Sequence, residues 1–268
     1  MAGRDLSDAL ATRDETVVAL KRSELDITNP RLVSECVAEH RPSIIVNCAA
    51  YTAVDGAEAE ESAANEINGS SVELLARAAN EVNALLVQIS TDFVFDGAKR
   101  TPYEVTDATA PLSAYGRSKL LGEVAATHAA RHLVFRTSWL FGVHGNNFVE
   151  AIRNQIRKGV DTLRVVNDQH GRPTYTPHLA NAIIRLAIQG ATGIVHYADE
   201  DACTWFDFAS AIAEGSNVKL KPVSTDEFPR PAKRPGYSVL STERYEQLTG
   251  ARPESWREGL REYLSLRA

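Results

Sequence analysis

Cysteine is scarce in this sequence, and long apolar runs are missing. The 268 residues include three cysteines, Cys36, Cys48 and Cys203, whose spacing suits neither a disulfide framework nor a zinc site. Few cysteines in an odd number indicate free thiols in a reducing compartment. The apolar runs are too short to span a bilayer, and the opening residues MAGRDLSDAL contain no apolar signal segment. We therefore expect a cytoplasmic protein that has no membrane partner.

The sequence also lacks an excess of positive charge. Its formal net charge is -6 at pH 7, so bulk electrostatics provides no attraction to nucleic acid. Charged residues make up 24 % and hydrophobic residues 44 % of the chain, which is typical of a globular protein. No Gly-x-Ser-x-Gly segment supports a serine hydrolase. These absences favour a globular protein that acts on a small molecule.

Short apolar segments alternate with segments of helical pattern along most of the chain. Strands are predicted at 16–20, 43–51, 85–95, 133–141, 163–167 and 194–198. Helices are predicted at 4–13, 30–40, 57–65, 68–83, 114–130, 148–158, 177–189, 204–214, 242–249 and 253–266, with Asn29 and Thr204 as caps. This alternation predicts an α/β fold, a Rossmann-like parallel sheet with helices on both faces.

The stretch from Ile89 to Glu123 carries the candidate chemistry. The predicted strand ALLVQIS is followed by Thr91, at the end where open α/β sheets bind ligands. Tyr115 and Lys119 stand four residues apart, so a helix presents both on one face. A nearby cation would lower the pKa of the phenol toward the working pH. The bare pair also suits a solvated helix face, but the preceding strand favours catalysis by Thr91, Tyr115 and Lys119.

Three segments carry a resemblance to a known family. The arrangement resembles the Ser/Thr-Tyr-Lys site of the short-chain dehydrogenase/reductases. The segments STDFVFDG, PLSAYGRSKLLGE and RTSWLFG resemble the dTDP-4-dehydrorhamnose reductases, and the resemblance extends from about Gly3 to the C-terminus. It implies reduction by NADPH of the C4 carbonyl of dTDP-6-deoxy-L-lyxo-4-hexulose to dTDP-L-rhamnose, with Tyr115 as proton donor, Lys119 lowering its pKa and Thr91 bonded to the reacting oxygen.

The resemblance also implies a division of the chain and its partners. Residues 1–142 with about 172–198 would bind NADP. Residues of about 143–171 with 199–268 would form a smaller C-terminal lobe for the sugar nucleotide. A dTDP-sugar is the expected partner of a monomer or homodimer.

Cofactor residues are predicted in several places. Lys21 and Arg22 follow the predicted strand at 16–20, where basic residues accommodate the 2′-phosphate of NADP. They favour NADPH, with NADH possible, although two solvated charges at a strand end are the alternative. The resemblance implies further cofactor contacts from Gly3, Asp26, Ile27, Ala49, Ala50, Tyr51, Tyr115 and Lys119.

Substrate residues are predicted around the same crevice. The resemblance implies contacts from Asp55, Thr91, Asp92 and Trp139, although Trp139 also suits a core position. Arg230 and Arg234 lie in a proline-rich basic segment, and their guanidinium groups can bind a nucleotide diphosphate. The alternative for these two arginines is a solvated basic loop.

Glycine is scarce at the start, where Gly3 is followed by no further glycine until Gly56. A dinucleotide-binding fold opens with a strand, a glycine-rich turn and a helix. Here Gly3 leads directly into a predicted helix, and we expect the true start to lie upstream of Met1. The alternative is a protein that has lost a central strand, which would leave the neighbouring strands unpaired.

Metal binding and other functions were weighed against the reductase prediction. Some relatives hold Mg²⁺ between subunits through glutamates; Asp5 is the nearest match to one of them, and no metal is predicted. One alternative function is a non-catalytic regulatory protein similar to the methionine adenosyltransferase beta subunit. Another is an epimerase or dehydratase that acts on a different nucleotide sugar.

Overall fold

The computed structural model describes residues 1–11, 13 and 15–267. The α-helices are α1 (Ala2–Ala11), α2 (Pro30–His40), α3 (Glu61–Asn65), α4 (Ser71–Val82), α5 (Ala114–Ala126), α6 (Phe148–Arg157), α7 (Thr176–Ile188), α8 (Trp205–Ile212), α9 (Glu243–Thr249) and α10 (Trp256–Ser265). The strands are β1 (Ile44–Asn47), β2 (Leu85–Thr91), β3 (His132–Thr137), β4 (Leu140–Phe141), β5 (Thr162–Val166), β6 (His170–Gly171), β7 (Thr174–Tyr175), β8 (Gly193–His196), β9 (Cys203–Thr204) and β10 (Lys219–Val223).

The largest sheet is parallel and has the order β1-β2-β3-β8. Alternate residues of β2 point to opposite faces, as in any strand. Leu85 and Val87 pack with α1 and α7 on one face, whereas Leu86 packs with α2, α4 and α5 on the other. The predicted α/β fold with helices on both faces is confirmed.

The predicted strand at 16–20 is wrong. Residues 15–20 form no strand, and Val17, Val18 and Leu20 are 41 %, 49 % and 43 % exposed. β-Branched residues favour a strand only where a neighbour supplies hydrogen bonds and packing. In the described part of the chain, β1 pairs with β2 on one side, and no strand lines its other edge. The segment therefore joins no sheet in the described structure.

The strands predicted at 85–95 and 133–141 end earlier than expected, each for a local reason. β2 ends at Thr91, because the Thr91 hydroxyl accepts a hydrogen bond from the Phe93 amide and caps a 3-10 turn, Asp92–Val94. β3 ends at Thr137, because Trp139 has a φ of 48° and turns the backbone away from the sheet. Both turns lie at the carboxyl edge of the parallel sheet.

A second lobe follows, with its own core. Its buried apolar residues come from α6, α8, α10 and the short strands β4, β5 and β7. The sequence did not predict β10, which pairs in parallel with β5. Pro222 within β10 suggests a loop, but a proline is tolerated in a short two-stranded pair at a sheet edge.

Helix caps follow the sequence closely. The Asn29 side chain accepts hydrogen bonds from the first turn of α2, and Pro30 occupies its first position. Thr204 and Asp207 form a capping box at the start of α8. Both predicted caps are confirmed. None of the described helices is long and apolar enough to cross a membrane.

Candidate active site

Helix α5 brings Tyr115 and Lys119 to the end of β2. The Ser113 hydroxyl accepts a hydrogen bond from the Gly116 amide at 3.1 Å and starts the helix. A Cβ atom at position 116 would lie 2.3 Å from the Phe93 carbonyl oxygen. The helix therefore approaches the turn after β2 more closely than any residue with a side chain would allow.

Lys119 is a buried cation. The residue is only 3 % exposed, and its Nζ donates a hydrogen bond to the Ile89 carbonyl at 2.6 Å. Burial lowers the pKa of Lys119 to about 8, while Glu123 and Cys48 act in the opposite direction. At neutral pH most of the Lys119 side chains are therefore still protonated.

Tyr115 is a neutral phenol in this environment. Its ring packs edge-on against Phe93, with centroids 5.8 Å apart. Burial raises the pKa of Tyr115 to about 12; a hydrogen bond with Thr91 lowers it and the charge of Asp92 raises it. The expected net lowering of this pKa is not found, because burial is the largest influence on the Tyr115 phenol. Near neutral pH the phenol therefore keeps its proton and can donate it.

Thr91 and Asp92 join the site to the second lobe. The Thr91 hydroxyl donates to Asp92 Oδ1 at 3.0 Å, and the Ser238 hydroxyl donates to Asp92 Oδ2 at 2.5 Å. Burial raises the pKa of Asp92 to about 6 even though both hydroxyls stabilise its charge. Sequence reasoning missed Ser238, since it lies 146 positions from Asp92 and no local pattern marks it.

A buried ion pair joins the helix of the Tyr-Lys pair to β3. Arg136 donates to both carboxylate oxygens of Glu123, at 2.9 and 2.7 Å, and the Ser90 hydroxyl donates to the same group at 2.5 Å. The two charged side chains are 4 % and 5 % exposed. Glu123 stands four residues after Lys119 on the same face of α5, and its proximity raises the pKa of the Lys119 ammonium. Sequence reasoning missed it, although an acid at this spacing in an apolar helix was a signal.

Asn68 holds the predicted cofactor loop against α5. Its side chain accepts from the Tyr51 amide at 2.8 Å, donates to the Tyr51 carbonyl at 3.0 Å and donates to the Ser118 hydroxyl at 2.9 Å. Asn68 lies in a π-helical turn, Glu66–Ser70, between α3 and α4. Such turns occur often at functional sites. Tyr51 is thereby fixed beside the helix that carries Tyr115 and Lys119, and Ala49 and Ala50 directly precede it.

In the described structure, the other predicted cofactor residues form no hydrogen bond with Thr91, Tyr115 or Lys119. Lys21 and Arg22 lie in an exposed turn. Asp26 is exposed too, and its Oδ1 accepts hydrogen bonds from the Thr28 amide and hydroxyl at 3.0 and 2.8 Å. These bonds lower the pKa of the Asp26 carboxyl. Ile27 is half-buried. Gly3 lies in the first turn of α1, where a Cβ atom would come 3.0 Å from Cys48. Their roles stay predictions.

The loop residues Asp55, Arg230 and Arg234 form one ionic cluster, defined here as the arginine clasp. Arg230 donates to Asp55 Oδ2 through Nε and Nη2 at 3.0 and 2.6 Å, and Arg234 donates to both carboxylate oxygens at 3.1 and 3.2 Å. Burial alone would raise the pKa of Asp55, but the two guanidinium groups hold it at about 2. Both arginines are therefore paired with a distant carboxylate although Arg230 stays half exposed, and the choice between a substrate contact and a solvated basic loop stays open.

A separate acidic cluster contains Asp5. His144 Nε2 lies 3.3 Å from Asp8 Oδ2 and 3.8 Å from Asp5 Oδ1. One ligand atom from each residue lies within 4.8 Å of the others, and imidazole and carboxylate groups bind divalent transition metals. Acidic groups of this kind are also common without an ion, so the prediction of no metal stays a prediction.

Comparison with known proteins identifies the family. A profile of the RmlD substrate binding domain matches residues 1–267. The chain belongs to this family. The resemblance to dTDP-4-dehydrorhamnose reductases noted from the sequence is confirmed.

Named relatives of this RmlD-family chain act on dTDP-sugars. A probable dTDP-4,6-dihydroxy-2-methyloxan-3-one 4-ketoreductase from Streptomyces antibioticus is 43 % identical, over 98 % of this chain and 90 % of the relative. A dTDP-4-dehydrorhamnose reductase from Aggregatibacter actinomycetemcomitans is 40 % identical, over 97 % and 93 %. The crystal structure of dTDP-4-dehydrorhamnose reductase from Bacillus anthracis in complex with NADP is 37 % identical with a TM-score of 0.95, over 98 % and 95 % of the two chains.

Proposed function

We propose that this chain is an NADPH-dependent reductase of a nucleotide sugar. It reduces the C4 carbonyl of dTDP-6-deoxy-L-lyxo-4-hexulose, also called dTDP-4-dehydrorhamnose, to give dTDP-L-rhamnose. The observation that carries the proposal is the set of Thr91, Tyr115 and Lys119 at the end of β2, in which Thr91 and Lys119 are buried and Tyr115 is partly buried. The reductase names of close relatives support the choice of substrate.

The site has a place for the cofactor's nicotinamide ribose. An ammonium has three N–H donors, and in the described structure the Lys119 ammonium has one hydrogen-bond acceptor, the Ile89 carbonyl. Its remaining donors suit ribose hydroxyl groups, and the small residues Ala49 and Ala50 allow close approach beside α5. When bound, NADPH supplies the hydride. We propose that the remaining predicted cofactor residues, from Gly3 to Ile27, serve the adenosine half.

The proton is supplied by the protein. As the carbonyl carbon gains a hydride, its oxygen becomes an alkoxide, which is a much stronger base than a phenolate. The Tyr115 hydroxyl breaks its O–H bond and gives the proton to that oxygen, forming the product alcohol. When the substrate binds, the Thr91 hydroxyl turns its single proton from Asp92 to the carbonyl oxygen and holds that oxygen near Tyr115. The Lys119 cation stabilises the phenolate left behind, until solvent returns the proton.

The second lobe supplies contacts to the sugar nucleotide. We assign Arg230 and Arg234 to the diphosphate, because guanidinium groups bind phosphate oxygens bidentately. Asp55 pairs with both arginines in the arginine clasp, and its single negative charge leaves a net positive charge there that attracts the diphosphate. Asp92 and Trp139 border the sugar ring. The same proposal includes the lobe boundaries near 142, 172 and 198. It also includes a location in the cytoplasm, where the three free thiols stay reduced.

A second candidate has a specific observation in its favour. The relative that is 43 % identical is named a 4-ketoreductase of a different dTDP-linked sugar. Reduction at C4 needs the same Tyr115 proton in both cases, so the difference lies in the contacts to the sugar ring. The intact catalytic set speaks against a purely regulatory protein.

The test is a direct assay of the purified chain. NADPH oxidation is followed with dTDP-4-dehydrorhamnose and, separately, with dTDP-4,6-dihydroxy-2-methyloxan-3-one, and each product is identified by nuclear magnetic resonance. A higher kcat/KM for the first substrate, with dTDP-L-rhamnose as product, is the expected result. A higher kcat/KM for the second would select the other ketoreductase. No C4 reduction of either substrate would reject the reductase proposal.

A further inference from the structure

We propose that Trp205 is a positioning residue for the substrate, and that it holds the Trp139 indole in place at the sugar pocket. This inference rests on the proposed function, in which Trp139 borders the sugar ring. Trp205 lies at the first position of α8 in the second lobe, and nothing in the local sequence connects it to the end of β3.

Trp139 needs support because its backbone is strained. Its φ of 48° lies in the left-handed region, which a bulky side chain rarely adopts. Strained residues persist only where their surroundings fix them, and they cluster at ligand sites. The backbone of Trp139 is held through its carbonyl, which accepts a hydrogen bond from the Thr174 amide at 3.2 Å. This bond fixes the main chain, and the indole needs a second restraint.

Trp205 provides that restraint through its ring. The two indoles stack with centroids 3.6 Å apart and planes inclined by 9°. Gly171 closes the space beside the Trp139 indole, because a Cβ atom at this position would lie 2.5 Å from it. The Trp139 indole therefore has one aromatic neighbour that stacks on it and one backbone neighbour that admits no side chain.

Trp205 is in turn fixed by the second lobe. Phe148, the first residue of α6, packs against it with centroids 4.6 Å apart. Phe208 lies one turn farther along α8, at 6.5 Å from Trp205, and continues into the buried core with Trp256. Through these ring contacts, the core of the second lobe fixes the position of Trp205 and therefore of the Trp139 indole.

Exposure separates this pair from ordinary core aromatics. Trp256 is fully buried at 0 %, whereas Trp139 and Trp205 are only half-buried. A stack that served packing alone would be sealed from solvent, as Trp256 is. The partly open stack leaves the Trp139 ring accessible to a ligand while its orientation is set from behind.

The experiment compares four variants with the wild-type chain. Trp205→Leu keeps apolar volume but removes the stack, Trp205→Phe keeps a smaller aromatic face, and Gly171→Ala pushes on the Trp139 indole without changing Trp205. Trp139→Leu removes the pocket wall itself. KM and kcat for the 4-keto sugar nucleotide, KM for NADPH, and calorimetric affinity for dTDP-L-rhamnose are measured, with near-ultraviolet circular dichroism reporting the coupled indoles.

We expect Trp205→Leu and Gly171→Ala to raise the sugar-nucleotide KM about two- to tenfold, the range of one aromatic pair. The KM for NADPH should not change, the dichroism of the indole pair should decrease, and Trp205→Phe should recover most of the affinity. An unchanged sugar KM in Trp205→Leu, together with a raised KM in Trp139→Leu, would overturn the inference alone. Unchanged affinity in both would instead reject Trp139 as a pocket wall. If Trp205→Leu does not fold, Trp205→Phe and Gly171→Ala decide the question.

Discussion

The carboxyl end of β2 and the exposed segment at 15–22 differ in how many contacts hold their side chains in place. At the end of β2, Thr91, Asp92 and Lys119 are buried and each forms hydrogen bonds to named partners. The segment at 15–22 is exposed, and the described structure gives it no strand partner. The candidate reacting centre is therefore fixed by the packing of the fold itself. The predicted contacts to the 2′-phosphate rest on exposed charge alone.

A large effect is expected at the buried cation. Lys119→Met should lower kcat/KM by on the order of 10² or more, since the phenolate loses its counter-charge. Its melting temperature should stay equal or rise, because the variant removes a buried charge and the Ile89 carbonyl keeps a hydrogen bond from Gln88. Steady-state kinetics and thermal unfolding are measured side by side. Lys99→Met, which removes a partly exposed lysine, is the matched control and should retain activity.

The same amine predicts opposite pH trends for activity and stability. Burial lowers the pKa of Lys119 from 10.5 to about 8, so kcat/KM should fall about tenfold per pH unit above that value. Between about 8 and 10.5 the unfolded chain holds more protons than the folded chain, so the contribution of Lys119 to the free energy of unfolding rises with pH. Lys119→Met should abolish this contribution. A wild-type pH profile that stays flat to pH 10 would contradict the assignment.

A smaller effect is expected at the arginine clasp. Arg234→Ala should raise the KM for the sugar nucleotide about tenfold, because a charge-assisted hydrogen bond to the diphosphate is lost. The KM for NADPH should not change, and Arg157→Ala on α6 serves as the surface control. Equal KM values for Arg234→Ala and wild type would show that Arg234 does not bind the diphosphate.

The smallest effect is expected in the exposed segment. The double variant Lys21→Ala, Arg22→Ala should reduce the preference for NADPH over NADH only several-fold, since interactions of solvent-exposed charges are weak and screened by salt. The ratio of kcat/KM for the two cofactors is compared at low and high salt. A preference that the double variant leaves unaltered would reject these residues as readers of the 2′-phosphate.

The sequence predicted the parts of the site that depend on local rules. Tyr115 and Lys119 share a face because they are four residues apart on a helix, and Thr91 follows an apolar strand whose end is a general ligand position. The caps at Asn29 and Thr204 follow equally local preferences. Each of these features needs only a few neighbouring residues, so it could be predicted without knowledge of the tertiary structure.

The missed and mistaken parts depend on distant neighbours. Arg136 and Ser238 reach the site from other elements, and their partners lie 13 and 146 positions away. The strand predicted at 16–20 failed for the same reason, since a strand exists only beside another strand. The predicted lowering of the Tyr115 pKa failed because burial outweighed the helix spacing, and burial is a property of the whole fold.

The central claim is that Tyr115 donates the proton to the reduced carbonyl. The direct test is the single-turnover rate of Tyr115→Phe with NADPH and the 4-keto sugar nucleotide, compared with Tyr263→Phe, which makes the same chemical change on α10. We predict that Tyr115→Phe slows the chemical step by about 10² to 10⁴ while the affinity for NADPH and the melting temperature stay near wild type. Tyr263→Phe should keep the wild-type rate. A Tyr115→Phe rate equal to that of the wild type would contradict the claim.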